Sequence, residues 1–164
     1  KILIILAALL SFLFLLIFIY TAYRSKIDHG ENFILFILLT CIFSDTGGYI
    51  IGKSIGGKKL TKISPNKTIS GSAGSFLFSL FPIGILIIFG QGYSGKNIIP
   101  FCLVISLACQ LGDLIISYFK RLARIKDTGN ILPGHGGMLD RIDGIIFALP
   151  TSLIIVNQLV WKER

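Results

Sequence analysis

The chain has 164 residues, 53% of them hydrophobic and only 15% charged, with a mean hydropathy of +0.80. Soluble domains carry about 25% charged residues, so this composition excludes a disordered chain and argues against a soluble globular domain, leaving a membrane protein. Sixteen Lys and Arg stand against eight Asp and Glu, a formal charge of +8. That excess marks cytoplasmic loops or phosphate-holding loops and argues against nucleic-acid binding, because the basic residues lie between long apolar runs.

A bilayer core requires about 20 apolar residues in helix. Five segments qualify, at residues 2–20, 33–52, 71–90, 98–119 and 144–161. The first is too long for a signal-peptide core and lacks a small-residue cleavage site, so it reads as a span. The chain begins at Lys1 inside an apolar run, as a fragment would. The expected fold is an all-α integral membrane protein with about five transmembrane helices, read as one membrane domain over residues 1–164. Loops 53–70 and 120–143 each carry five basic residues, against two in 23–32 and one in 91–97. Five spans put the two basic loops on one side, which the positive-inside rule makes cytoplasmic. Both loops are rich in Gly, Ser, Pro and Asn and read as irregular. Cys41, Cys102 and Cys109 lie in apolar stretches without metal-type spacing and read as small buried hydrophobes.

The acids inside the apolar runs carry the chemistry. A carboxylate at the centre of a membrane helix costs about 2.5 kcal/mol or more and usually faces a polar cavity. Asp45 lies seven residues before the cytoplasmic end of its span and Asp113 six before the end of its own. At about 1.5 Å per residue both sit roughly 10 Å below the surface, at a depth that allows one shared cavity. The bland alternative is that each is paired with a nearby lysine. Asp140 and Asp143 open the last span, three residues apart and so on one helix face. Carboxylates facing ten basic side chains suit a divalent cation beside a polyphosphate. Hard oxygen ligands favour Mg²⁺, which takes one or two carboxylates plus substrate phosphates.

Two other motif matches fail on context. Residues 47–54 satisfy the phosphate-loop pattern G-x-x-x-x-G-K-S, but that motif needs a strand before it and a helix after it, and here it straddles the end of a span. Asn66-Lys67-Thr68 is a glycosylation sequon in a loop expected on the cytoplasmic side.

Residues 117–143 read SYFKRLARIKDTGNILPGHGGMLDRID. This stretch resembles the signature of the phosphatidate cytidylyltransferases (CDP-diacylglycerol synthases), S-x-x-K-R-x(4)-K-D followed by P-x-H-G-G-x-x-D-R-x-D. Asp45-Thr46-Gly47-Gly48-Tyr49 and the loop from Ser64 to Gly71 are similar to the same family, and the resemblance runs from about Phe33 to the end. Family members usually have more N-terminal spans, so the chain looks like the C-terminal catalytic part or a short member.

The resemblance implies condensation of CTP with phosphatidate to CDP-diacylglycerol and pyrophosphate, with Mg²⁺ as cofactor; a second, monovalent cation is left open. It implies Asp113 and Asp140 as metal ligands, with Asp143 and Asp45 as weaker candidates. Lys120, Arg121, Lys126 and Arg141 are expected to hold phosphates. Lys67 and Ser70 belong to a loop expected to close over the nucleotide. The Gly136-Gly137 backbone permits close phosphate approach, His135 donates to a phosphate, and Ser117, one turn after Asp113, orients it. The implied partners are CTP, phosphatidate, the lipid bilayer and a second copy of the chain as homodimer, with no nucleic acid. The implied location is the bacterial inner membrane with the site facing the cytoplasm. A CTP-dependent polyprenol or lipid kinase is the nearest alternative, weakened by the full signature. A CDP-alcohol phosphotransferase shares Asp140-x-x-Asp143-Gly144 but not the residues that follow. An ion-coupled transporter leaves the basic signature unexplained.

Overall fold

A computed structural model describes residues 2–61, 64–88, 97–122 and 139–159. Side chains are described at 13, 15–61, 64–88, 97–122 and 143–156. Six helices follow in order: α1 (Ile2–His29), α2 (Glu31–Ile55), α3 (Ile69–Phe78), α4 (Phe81–Ile88), α5 (Ile98–Leu122) and α6 (Leu139–Leu159). Among the described residues the only extended pairing is an isolated bridge between Lys59 and Thr68. The protein is all-α, as its composition predicts.

Among the described residues three stretches are long and apolar enough to cross a membrane: α2, α3 with α4 as residues 69–88, and α5. Within α6 the apolar helix is shorter, Asp143–Val156. Helix α1 runs 28 residues, past the apolar segment into a charged turn where Arg24 pairs with Asp28 at 3.0 Å. Gly30, at φ 86°, makes the tight corner between α1 and α2, and Lys26 reaches across it to Glu31 at 2.7 Å.

The apolar stretch at 71–90, expected as one span, is broken in its middle. Helix α3 ends at Phe78, capped by Ser79, and α4 begins at Phe81. Pro82 has no N–H to donate, and its ring crowds the carbonyl one turn back, which favours a break just before it; as the second residue of α4 it sits where a helix tolerates proline. Pro100 falls in the first turn of α5, where it is tolerated.

The core lies where α5 meets α2 and α6. Phe33, Phe36, Ile37 and Cys41 of α2 face Ile98, Phe101, Cys102, Ile105 and Cys109 of α5. Both sets recur every three or four residues, which is one helix face. Phe36 and Phe101 stack at 6.3 Å. All three cysteines are buried and free. Helices α5 and α6 meet at glycines: a Cβ at Gly144 would lie 2.5 Å from Cys109 Sγ, and one at Gly112 would lie 2.7 Å from Phe147. The α2–α3 contact is built the same way from Gly47, Gly48, Gly71 and Gly74. Small residues let helix backbones approach closely, the packing that membrane helices favour.

Polarity runs inside out relative to a soluble domain. Ser44, Ser106 and Ser152 are fully buried, while Ile88 is 80% exposed and Ile154 69%. Such an apolar outer surface is the kind that suits a membrane helix.

Candidate active site

A cavity of about 300 Å³ opens between α2, α3, α5 and the loop from α2 to α3. Helix α2 contributes Asp45, Gly48 and Tyr49, and α5 contributes Gln110 and Asp113. Gly71, Ser72 and Ser75 come from α3, and Leu60, Ser64, Asn66, Lys67 and Thr68 from the loop. Asp45 and Asp113, on separate helices, thus line one cavity.

The loop that carries Lys67 has its own frame. Helix α2 stops at Gly56, whose φ of 65° suits glycine. The chain then doubles back: Leu60 N donates to Lys67 O at 2.8 Å, and Lys67 N donates to Ser64 O at 3.1 Å. Thr68 caps α3 by accepting from Gly71 N at 3.0 Å. Ser70 donates to the Gly56 carbonyl and is absent from the cavity wall. Its hydroxyl holds the loop to the end of α2.

Lys67 forms an ion pair with Asp113 Oδ2. Ser117, one turn along α5, donates to Asp113 Oδ1 at 3.3 Å. A chain of neutral groups runs from the cavity wall into the buried α2–α5 contact. Ser72 donates to Gln110 Oε1 at 2.5 Å, Gln110 donates to Ser106 at 3.3 Å, and Ser106 bonds Ser44 at 2.7 Å. Asp45 accepts a weak bond from Cys109 Sγ at 3.7 Å.

Asp143 stands apart from this cavity. Its carboxylate takes Lys120 at 3.4 Å and its own helix's Gly144 N at 3.0 Å, with both charged side chains 12% exposed. The pair ties the end of α5 to the start of α6. Arg121 is exposed at the end of α5. Asp140 and Arg141 fall in the first turns of α6, but their side chains lie outside the described residues, as do Lys126, His135, Gly136 and Gly137.

Residues 47–54 are continuous α2 helix, so the phosphate-loop pattern has no loop to form. Among the described residues no group of three or more His, Cys, Asp or Glu gathers as a metal cage. The cavity offers two carboxylates with amide and hydroxyl oxygens beside them. That all-oxygen set fits Mg²⁺, which completes its shell from water and phosphate.

Gln110 and Ser72 went unread in the sequence. The signal was present: an amide three residues before Asp113, on the same face of an apolar helix.

Comparison with known proteins gives the family. The model of the family described as "Cytidylyltransferase family" matches residues 2–159. A phosphatidate cytidylyltransferase of Staphylococcus saprophyticus is 41% identical over 134 residues, covering 80% of this chain and 52% of that protein. Proteins of the same name are 43% identical in Staphylococcus aureus, over 80% of this chain and 51% of the relative, and 42% identical in Staphylococcus haemolyticus, over 84% and 53%. The chain spans about half the length of the curated relatives it matches. With a family match that takes in every described helix, the chain belongs to the cytidylyltransferase family.

Proposed function

We propose that the chain carries the catalytic part of a phosphatidate cytidylyltransferase, which condenses CTP with phosphatidate to give CDP-diacylglycerol and pyrophosphate. The observation that carries this reading is the cavity shared by Asp45, Asp113 and Lys67, at the foot of the helix that leads into the 117–143 signature.

A phosphate oxygen of the lipid attacks the α-phosphorus of CTP. The new P–O bond forms as the bond to the β-phosphate oxygen breaks, and pyrophosphate leaves. The nucleophile is already an anion, so the site needs no strong base. Its task is to hold two anions together in line, which is positioning and charge neutralisation. Lys67, Lys120 and Arg121 supply positive charge from the loop and the end of α5, and Lys126 and Arg141 add to it. Ser117 holds one oxygen of Asp113 and so orients the carboxylate. His135 donates to a phosphate beside the Gly136-Gly137 backbone, and Asp143 sets the position of Lys120 through their ion pair. Asp113 and Asp140 would hold Mg²⁺, with Asp45 beside them. When bound, the ion supplies charge stabilisation for oxygens on the transferring phosphorus. The site faces the cytoplasm of a bacterial inner membrane, where the two basic loops lie.

The test is direct. The chain, purified in detergent or lipid, receives labelled CTP, phosphatidate and Mg²⁺, and products are separated by charge. CDP-lipid with pyrophosphate is expected. CDP with a newly phosphorylated lipid would mark a kinase and overturn the reading. Asp113→Asn is expected to lower transfer by about 100-fold or more.

A further inference from the structure

Among the described residues, Lys67 is the one cation that lines the cavity, and it faces two carboxylates, Asp45 and Asp113. The pairing is uneven. Lys67 sits on Asp113 Oδ2, and Ser117 takes the other oxygen. Asp45 has only the weak thiol bond at 3.7 Å, although it lies within electrostatic reach of both Asp113 and Lys67. Among the described residues the wall therefore carries one more negative charge than positive. A divalent cation drawn by that imbalance meets an ammonium already seated on Asp113, and two cations on one carboxylate oxygen repel.

We infer that Lys67 is an exchange cation: its ammonium holds Asp113 until a divalent cation takes that carboxylate, and then swings to the phosphates of the incoming nucleotide. This rests on the proposed function, since it takes the cavity as the meeting place of metal and triphosphate. The anchoring of Lys67 suits such a move. Its backbone is held on both sides, by Leu60 N at 2.8 Å and Ser64 O at 3.1 Å, and by the neighbouring Lys59–Thr68 bridge. The side chain alone is free to turn, on a flexible four-carbon stem. Lys67 and Asp113 are 29% and 30% exposed, so the pair is open enough to separate.

Metal and nucleotide then bind with positive coupling. The metal releases Lys67 for the phosphates, and phosphates that hold Lys67 leave Asp113 to the metal. Linkage makes the effect reciprocal.

The test reads the amine of Lys67 in the unmodified full chain. An amine-acylating reagent is applied briefly, and modification at each lysine is quantified by peptide mass spectrometry. Mg²⁺ alone is expected to raise Lys67 labelling about fivefold or more, the lower end of ordinary coupling, and added CTP to reverse it. Lys58 and Lys59, exposed in the same loop but outside the cavity wall, serve as the internal reference. In Asp113→Asn, Lys67 is expected to label strongly with or without Mg²⁺. Labelling that ignores Mg²⁺ in a chain that binds CTP would overturn the exchange and leave the proposed function standing. A chain that binds no CTP at any Mg²⁺ concentration overturns both. As a second measurement, Lys67→Met is expected to bind Mn²⁺ without nucleotide about fivefold more tightly; equal or weaker binding overturns the exchange.

Discussion

Gly74→Ala is the sharpest perturbation of the cavity frame. A Cβ at this position would lie 2.5 Å from Ile51 Cβ, 2.6 Å from its Cγ1 and 2.8 Å from the Gly47 carbonyl oxygen. No rotamer relieves the first and last contacts, because a Cβ and a carbonyl are placed by the backbone. Ordinary contact begins at 3.4 Å, so relieving the 2.5 Å contact requires α2 and α3 to separate by about 0.9 Å there. Overpacking of this kind costs about 1–3 kcal/mol. For a chain of this size each kcal/mol lowers the unfolding midpoint by roughly 2–4 °C. The same shift parts Asp45 on α2 from Ser72 and Ser75 on α3, and a misplacement approaching 1 Å lowers transfer by up to about 100-fold. The control is Gly84→Ala in α4, where an added Cβ meets nothing within 4 Å. It is expected to leave stability unchanged or raise it by up to about 1 kcal/mol. Both variants would be followed by thermal unfolding in one detergent and by CDP-lipid formation. If their stabilities agree within about 0.5 kcal/mol, the close α2–α3 crossing is refuted.

The remaining predictions concern the polar groups. Lys120→Met leaves Asp143 charged at a site 12% exposed and is expected to cost about 3 kcal/mol; adding Asp143→Asn should return most of that, as chemical or thermal unfolding will show. Ser117→Ala removes a long, 3.3 Å hydrogen bond to a part-exposed carboxylate, and should slow transfer roughly tenfold while costing no more than about 1 kcal/mol of stability. Chelation of divalent metal with EDTA should abolish CDP-lipid formation, and added Mg²⁺ should restore it. Cys41, Cys102 and Cys109 are buried, so a thiol reagent should label them in the folded chain no faster than the helices open, and completely once denaturant is added.

Much of the fold was legible because membrane helices write a strong signal. The apolar runs around Asp45 and Asp113 became α2 and α5, and the depth argument needed only the helical rise. The break at Ser79–Leu80 was missed because hydropathy counts Pro82 as part of an apolar run and ignores its missing N–H. Helix α6 is described from Leu139, five residues before the apolar segment, because hydropathy marks only where a run is apolar and not where a helix is. The acids were legible since a charge in lipid demands a reason. The partner of Asp113 was not, because Lys67 reaches it only once residues 58–69 fold back on themselves. Gln110 was passed over because a neutral amide interrupts hydropathy too little to draw notice.

The hydroxyl and amide chain that runs inward from the cavity wall also governs how the bundle comes together. Ser44 belongs to α2, Ser106 and Gln110 to α5, and Ser72 to α3. The α2–α5 pair alone satisfies Ser44, but Gln110 Oε1 waits for α3. In hydrocarbon such a wait is unfavourable, since no water substitutes for the missing donor. The three helices therefore complete one another's bonds only as a trio, at the depth where the cavity will form. A polar seam of this kind favours one register, because a bundle closed out of register separates the Gln110 amide from Ser72.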